Sequence, residues 1–355
     1  LTWLGFRAVP TGFVPVQDKG YFVIAVKLPD GASLERTSTI IKQVAAVVRE
    51  TKGVRDFPMF AGIDVFNGFA ESSSAGAVFP ILEDFDKRGD PSLSADAIRA
   101  DIAGLIGHDL SKLKPGSPEA MEIKAKLISR GAWSQYLEVG IGPDAEIFTK
   151  CQPMASVGFG ADVGLHPVST WNNPEPEIAM IAASSGKIVG ATLGNDVNLR
   201  DVEGRSALLL GKAKDNNASA SLGPFIRLFD ASFSLADIKA AAIGLNVTGE
   251  DGFVLEGHSS MSQISRTPES LVAAAIGRHH QYPDGFVIYL GTMFAPVKDR
   301  GGVGKGFTHK PNDIVTISTP KLGSLSNRVR LSTQCPPWTY GASHLLRDLA
   351  AAELL

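Results

Sequence analysis

Glu175 and Glu177 stand one residue apart in Asn172-Asn173-Pro174-Glu175-Pro176-Glu177, and Asp196 follows in Gly194-Asn195-Asp196-Val197-Asn198-Leu199-Arg200-Asp201. On an extended segment residues i and i+2 project from one face, so the two glutamates point the same way. The apolar runs Ile178 to Ala183 and Ile188 to Leu193 flank Ser184-Ser185-Gly186-Lys187, a hairpin signal. Antiparallel pairing of those runs returns Asp196 to the side of the glutamates. Three carboxylates at one point repel and hold their protons unless a divalent cation lies between them, so convergence itself argues for an ion. An all-oxygen set suits a hard cation, Mg²⁺ first, with Mn²⁺ or Ca²⁺ as substitutes. On spacing alone, three solvated acids near a turn are the other possibility.

Composition narrows the partner. The chain has 355 residues, 44% hydrophobic and 20% charged, which is ordinary for a globular protein with room for two domains. A net charge of −3 and a pI near 6.2, with Lys and Arg scattered, argue against nucleic acid or an anionic membrane. A small molecule is the expected ligand. Cys151 and Cys335 lie far apart and outside any Cys-x-x-Cys spacing, so neither a disulfide framework nor a zinc ribbon is indicated, and a reducing, cytoplasmic compartment fits. No run of about 18 apolar residues occurs, so no membrane span is expected, and the opening Leu1-Thr2-Trp3-Leu4-Gly5-Phe6 lacks the features of a signal peptide.

The elements that must position the acids are strand-rich. Residues 1–98 suggest a small α+β segment: a strand from Gly20 to Leu28, a turn at Pro29-Asp30-Gly31, then a helix with Ser33 as N-cap and Leu34, Ile40, Ile41, Val44, Val47 and Val48 at helical spacing. A Gly/Ser/Asn stretch, Gly62 to Gly76, leads into the apolar run Ala77 to Leu82, and the charged stretch Glu83 to Arg88 marks a boundary. From about residue 99 the texture changes: Asp96 to Ile106 and Pro118 to Arg130 are expected to be helices, the second capped by Ser117, with Pro118 at its first position, and closed by Gly131. Short strands then dominate, with turns at Gly249-Glu250-Asp251-Gly252, Pro283-Asp284-Gly285 and Pro320-Lys321-Leu322-Gly323, and one helix from Pro268 to about His280 capped by Thr267.

Residues 99–355 resemble the fumarylacetoacetate hydrolase superfamily. The matching pieces occur in that family's order: Pro174-Glu175-Pro176-Glu177, Gly194-Asn195-Asp196-Val197 with Arg200-Asp201, Lys214 ahead of Leu222-Gly223-Pro224-Phe225, Leu290-Gly291-Thr292, and Gly323-Ser324-Leu325-Ser326-Asn327. Within the superfamily the chain is most similar to the branch that dehydrates 2-keto-3-deoxy pentonates, through Trp133-Ser134-Gln135-Tyr136-Leu137-Glu138-Val139-Gly140 and the segment Gly204 to Lys214. The resemblance implies an α+β fold, a strand-rich mixed β-roll, with Mg²⁺ held by Glu175, Glu177 and Asp196. It implies a 2-oxo acid substrate chelated through its carboxylate and ketone, an enolate held by the ion, Lys214 as catalytic and substrate-binding cation, and Thr292 on the substrate carboxylate. Loss of the C4 hydroxyl then yields 2,5-dioxopentanoate. A homodimer or homotetramer is the form such proteins take. The family also uses a glutamate upstream of the metal ligands as acid and base. The transporter-like segment described next stands in that region here, and Glu83 is the nearest acid in order. Lys310-Pro311-Asn312-Asp313 replaces the expected Lys-x-Gly-Asp turn; Asn also tolerates positive φ.

Residues 1–98 resemble the porter region of resistance-nodulation-division efflux transporters. Val9-Pro10-Thr11-Gly12-Phe13-Val14-Pro15, Asp18-Lys19-Gly20-Tyr21, the run Leu28 to Thr37, Ala75-Gly76-Ala77-Val78-Phe79 and Phe85-Asp86-Lys87-Arg88 carry this similarity. Membrane helices and proton-relay acids are missing from the sequence, so transport does not carry over. Other readings stay open: a C–C hydrolase of acylpyruvates on the same fold, an efflux-transporter fragment, or a fusion without activity. Gly301-Gly302-Val303-Gly304-Lys305-Gly306 lacks the first glycine of a phosphate loop and a Ser or Thr after the lysine, Gly158-Phe159-Gly160 lacks a dinucleotide fingerprint's third glycine, and no Gly-x-Ser-x-Gly is present. His279-His280 is expected to cap a helix end.

Overall fold

The spacing of Ile41, Val44, Ala45 and Val48 puts them on one buried stripe of the helix Leu34–Arg49, with Glu35 in its first turn and Arg49 in its last, as the helix dipole favours. The computed structural model describes residues 18–28, 34–65, 68–106, 113–129, 133–294, 296, 298–302 and 305–355. Val9 to Pro15, the Pro29-Asp30-Gly31 turn, Ser33, Arg130, Gly131 and Val303-Gly304 lie outside these. The chain divides into two units, one of Leu1–Pro29, Leu34–Leu110 and Met121–Ser134, the other of Asp30–Ser33, Ser111–Ala120 and Gln135–Leu355.

In the first unit β1 (Ile24–Lys27), β2 (Val54–Asp56), β3 (Met59–Asp64), β4 (Ala70–Val78) and β5 (Ile81–Leu82) form a three-stranded sheet of order β1-β4-β3 and a two-stranded β2-β5 pair. The Gly/Ser/Asn stretch thus contains the end of β3 and most of β4, and the small residues of β4 let the helix approach. A Cβ on Gly76 would lie 2.6 Å from the Phe60 carbonyl oxygen and 2.8 Å from Ile41 Cδ1. Ile98 and Ile102 of the helix Ala95–Ile106 join Ile41, Val44, Val48, Val78 and Leu82 in one core. Arg88, within the charged stretch, is buried and pairs with Asp18 at 2.8 Å.

The second unit contains β6 (Asp162–Leu165), β7 (Pro176–Ala182), β8 (Ile188–Asp196), β9 (Ala220–Leu228), β10 (Ala242–Thr248), β11 (Val254–Ser260), β12 (Phe286–Tyr289), β13 (Ile314–Thr319) and β14 (Gly323–Leu331). A four-stranded antiparallel sheet runs β12-β7-β8-β9, and a five-stranded sheet runs β11-β10-β13-β14-β6 with one parallel pair, β14 with β6. The unit is the strand-rich mixed fold its sequence predicts. Ile178, Met180 and Leu193 of the first sheet share one core with Leu245, Val247, Val315, Ile317, Leu325 and Val329 of the second. β10 and β13 bury alternate residues, as a half-covered strand does, whereas β7 and β8 are buried almost throughout. The hairpin that carries Glu177 and Asp196 is therefore enclosed on both faces.

Candidate metal centre

The β7–β8 ladder pairs Glu177 with Gly194 and Pro176 with Asn195, then continues through Asp196 N–H to Glu175 O at 3.1 Å and a reciprocal pair between Asn173 and Asn198. Glu175 and Asp196 thus face each other across the strand ends, and Glu177 shares the face of Glu175. One oxygen from each of the three carboxylates lies within 4.8 Å of the others, and all three residues are buried. Gly194 has no side chain because the Tyr289 ring occupies that place; a Cβ there would sit 2.3 Å from Tyr289 Cε1.

Each carboxylate is held by a fixed group. Glu175 Oε2 accepts from Lys214 Nζ at 2.5 Å and Oε1 from Asn198 Nδ2 at 2.9 Å. Glu177 Oε2 accepts from the Gly291 N–H at 2.6 Å, which that residue can aim because its φ is +88°. Asp196 Oδ2 accepts from Lys214 at 2.9 Å, while Lys150 Nζ approaches Oδ1 to 2.7 Å as an ion pair without hydrogen-bond alignment. Lys150 also donates to the carbonyls of Val197, at 3.0 Å, and Lys214, joining the strand end to the helix Leu210–Lys214. Ser169 Oγ and the Thr170 N–H donate to Asp201 at 2.8 and 2.7 Å, which ties down the loop leading into Asn172.

Burial and mutual repulsion set the protonation chemistry. Burial raises the Glu175 carboxyl to about 7 against the pull of Lys214, and raises Glu177 well above the ordinary range with help from the charges of Asp196 and Glu175. Burial also works upward on Asp196, but Lys150 and Lys214 outweigh it and hold that carboxyl low. For Lys214, burial would favour the neutral amine; Glu175, Asp196 and Glu203 more than offset it, so it stays an ammonium. The surplus of acid over base in a dry place, all of it oxygen, fits a hard divalent cation.

Lys214 lies beside the three acids, gripped by Glu175 and Asp196. Thr292 adjoins Gly291 and is half-buried; its hydroxyl accepts from the Phe294 N–H at 3.2 Å and donates to the Phe294 carbonyl at 3.1 Å. Glu83 lies in the other unit and pairs with Lys87 at 3.2 Å. The segment Glu146-Ile147-Phe148-Thr149-Lys150 was not anticipated. Lys150 touches Asp196, the Phe148 ring lies 6.0 Å from Lys214 Nζ, and Glu146 feels the charges of Glu203, Lys214 and Asp196. Alternate residues of one extended stretch thus turn toward the centre. Glu146 reaches solvent, yet the protein around it removes enough water to raise its carboxyl, with Glu203 adding to the shift and Lys214 opposing it.

The helix capped by Thr267 is shorter than predicted, Pro268–Ala275, because Ile276 turns extended. His279 still caps it through Ala274 O at 3.3 Å, and His280 packs on Tyr282. Asn312 takes φ +72°, as its place in the Lys310 to Asp313 turn predicts.

Two sheets around one core, with a buried all-carboxylate centre at the end of a central hairpin, define a class of divalent-metal domain. Residues 155–330 match the family described as fumarylacetoacetate (FAA) hydrolase C-terminal. A 2-dehydro-3-deoxy-D-arabinonate dehydratase of Saccharolobus solfataricus is 31% identical over 225 residues, covering 63% of this chain and 70% of that protein. The chain belongs to the fumarylacetoacetate hydrolase family. A solved structure of a 2-keto-3-deoxy-D-arabinonate dehydratase complexed with magnesium and 2,5-dioxopentanoate is 32% identical with a TM-score of 0.49, covering 56% of this chain and 66% of that one. The chain spans about two thirds of the length of these relatives. Residues 1–164 match the AcrB/AcrD/AcrF family. The toluene efflux pump membrane transporter TtgB of Pseudomonas putida is 31% identical over 124 residues, 35% of this chain and 12% of that protein. Among the described residues no helix is long and apolar enough to cross a membrane.

Proposed function

We propose that the chain carries a Mg²⁺-dependent dehydratase that converts a 2-keto-3-deoxy pentonate to 2,5-dioxopentanoate, a step of pentose breakdown. The observation that carries this is the buried Glu175, Glu177 and Asp196 set with Lys214 against it; the similarity to a pentonate dehydratase names the substrate class. Bound by these three residues, Mg²⁺ would draw electron density from the chelated 2-oxo group and make C3 acidic. Lys214 brings a fixed positive charge to the substrate's developing oxyanion, and Thr292, beside the Glu177-binding Gly291, serves the substrate carboxylate.

Glu146 is the group we assign to proton transfer. It is exposed on the segment that leads to Lys150, the water that the surrounding protein removes raises its carboxyl, and it feels the charges of Glu203, Lys214 and Asp196. The C3 proton passes to Glu146, the C4–O bond breaks, and the same proton leaves with the hydroxyl as water. The allylic alcohol that remains tautomerises to the C5 aldehyde. Residues 99–355 are the proposed catalytic domain and residues 1–98 a transporter-like segment without a part in this chemistry. A cytoplasmic location fits two free cysteines. A homodimer or homotetramer would cover Phe225, Ile226 and Leu228, which are exposed on the edge strand β9.

Incubation with 2-keto-3-deoxy-xylonate or 2-keto-3-deoxy-arabinonate and Mg²⁺, following the semialdehyde, tests the activity. Turnover should vanish in Glu175→Ala and in excess chelator, and fall sharply in Glu146→Gln. Turnover that persists in Glu175→Ala would refute the metal mechanism.

A further inference from the structure

Asn198 is fully buried, and its Nδ2 donates both to Glu175 Oε1 at 2.9 Å and to Glu203 Oε2 at 2.7 Å. An amide nitrogen carries two hydrogens, so both are committed and the two carboxylates fix which end of the amide faces them. Its Oδ1 is left with no partner among the described residues. A buried acceptor without a partner works against folding, so stability does not explain this side chain. What it holds does. The backbone of Asn198 pairs both ways with Asn173 at 3.1 Å, so the amide extends from a rigid point of the ladder. Glu203 ends the short helix Arg200–Glu203, and Asp201 of the same helix is bonded to Ser169 and Thr170, which sets Glu203 in the frame that carries the metal-site loop.

We propose that Glu203 and Asn198 are positioning residues for the metal centre: Glu203 orients the Asn198 amide, and that amide sets the plane of the Glu175 carboxylate for the cation. The assignment rests on Glu175 being a ligand. Lys214 grips the other oxygen of Glu175, so without Asn198 the carboxylate is free to rotate about its contact with the lysine. A neutral amide is the suitable link because it satisfies two acids at once without adding charge between them. Glu203 needs only an oxygen to do its part, so the geometry of that oxygen matters more than its charge.

Mg²⁺ titration by calorimetry of the full chain, stripped with chelator, tests this. Melting of each variant in chelator reports whether the fold is intact. Asn198→Ala should weaken Mg²⁺ binding about 10- to 100-fold, the range seen when a group supporting a metal ligand is lost. Glu203→Ala should weaken it in the same direction, whereas Glu203→Gln, which keeps an accepting oxygen, should restore affinity to within about threefold of the unaltered chain. Should Asn198→Ala fail to fold, the two Glu203 variants decide alone. Affinity unchanged in Asn198→Ala and Glu203→Ala, or equally weak in Glu203→Gln and Glu203→Ala, overturns the proposal. Glu175→Ala separates this from the parent reading: Mg²⁺ binding that survives there sinks the ligand assignment itself, while binding lost there but normal in both supporting variants sinks only the positioning role.

Discussion

Two charge clusters in the larger unit, one buried and one that opens to the surface at Asp251 and Lys310, are built to opposite balances. Around Arg300, the guanidinium bonds to Asp313 at 2.6 and 2.8 Å and to Asp251 at 2.8 and 3.1 Å, and Lys310 adds a second cation on Asp251 at 2.8 Å. Two acids meet two bases, and both Asp313 and Asp251 are held below the ordinary carboxylate range. Around the candidate metal centre, Glu175, Glu177, Asp196 and, through Asn198, Glu203 meet, among the described residues, the cations Lys214 and Lys150, and Glu175 and Glu177 are both driven upward. A closed charge balance locks a turn in place. An open one keeps room for a partner that arrives positively charged.

Breaking the open cluster has the largest expected effect. Glu177→Gln keeps an acceptor for the Gly291 N–H but removes a ligand charge, and Mg²⁺-dependent turnover should fall by about 10³-fold or more, roughly 4 kcal/mol of barrier. In chelator the same variant should melt no lower than the unaltered chain, because an acid that burial disfavours has gone; a drop of several degrees would show the cluster is balanced without metal. The closed cluster should respond in the reverse way. Asp313→Ala leaves Arg300 buried with half its partners and should cost about 3–5 kcal/mol in urea unfolding, with Mg²⁺ affinity unchanged.

His309 sharpens the comparison through pH. It is buried against Asp313 at 3.1 Å, and burial lowers its pKa below 6.5. Below about pH 6.5 the unfolded chain therefore takes up a proton that the folded chain refuses, and stability falls as pH falls. Between pH 7 and 5 the unaltered chain should lose up to about 2 kcal/mol more than His309→Gln. Equal losses in both would remove His309 from the acid response. Smallest is the turn itself: Asn312→Ala, at φ +72°, should cost about 1 kcal/mol, and Asn312→Gly close to nothing, read from thermal melts.

The three acids were legible because they sit on one hairpin, where a period of two and a four-residue turn fix who meets whom. Lys214 and Thr292 followed only from family resemblance, since nothing local brings the end of Leu210–Lys214 to β8. Lys150 was invisible for a related reason: its partners are backbone carbonyls of Val197 and Lys214, 47 and 64 residues away. Glu146, Phe148 and Lys150 do alternate, but an alternating stretch with exposed Ile147 and Phe148 and no strand partner resembles any surface loop. At Ala70–Val78 the sequence reading marked only a Gly/Ser/Asn stretch leading into an apolar run; close helix packing decides that these small residues form a strand.

The same hairpin has a consequence for the order of assembly. Glu177 and Asp196 close on the short turn between β7 and β8, and Lys214 lies 18 residues from Asp196, whereas Lys150 reaches Val197 across 47 residues. Loop closure therefore predicts that Lys150 is the last charge to join the cluster, so the acids are first steadied by Lys214 alone.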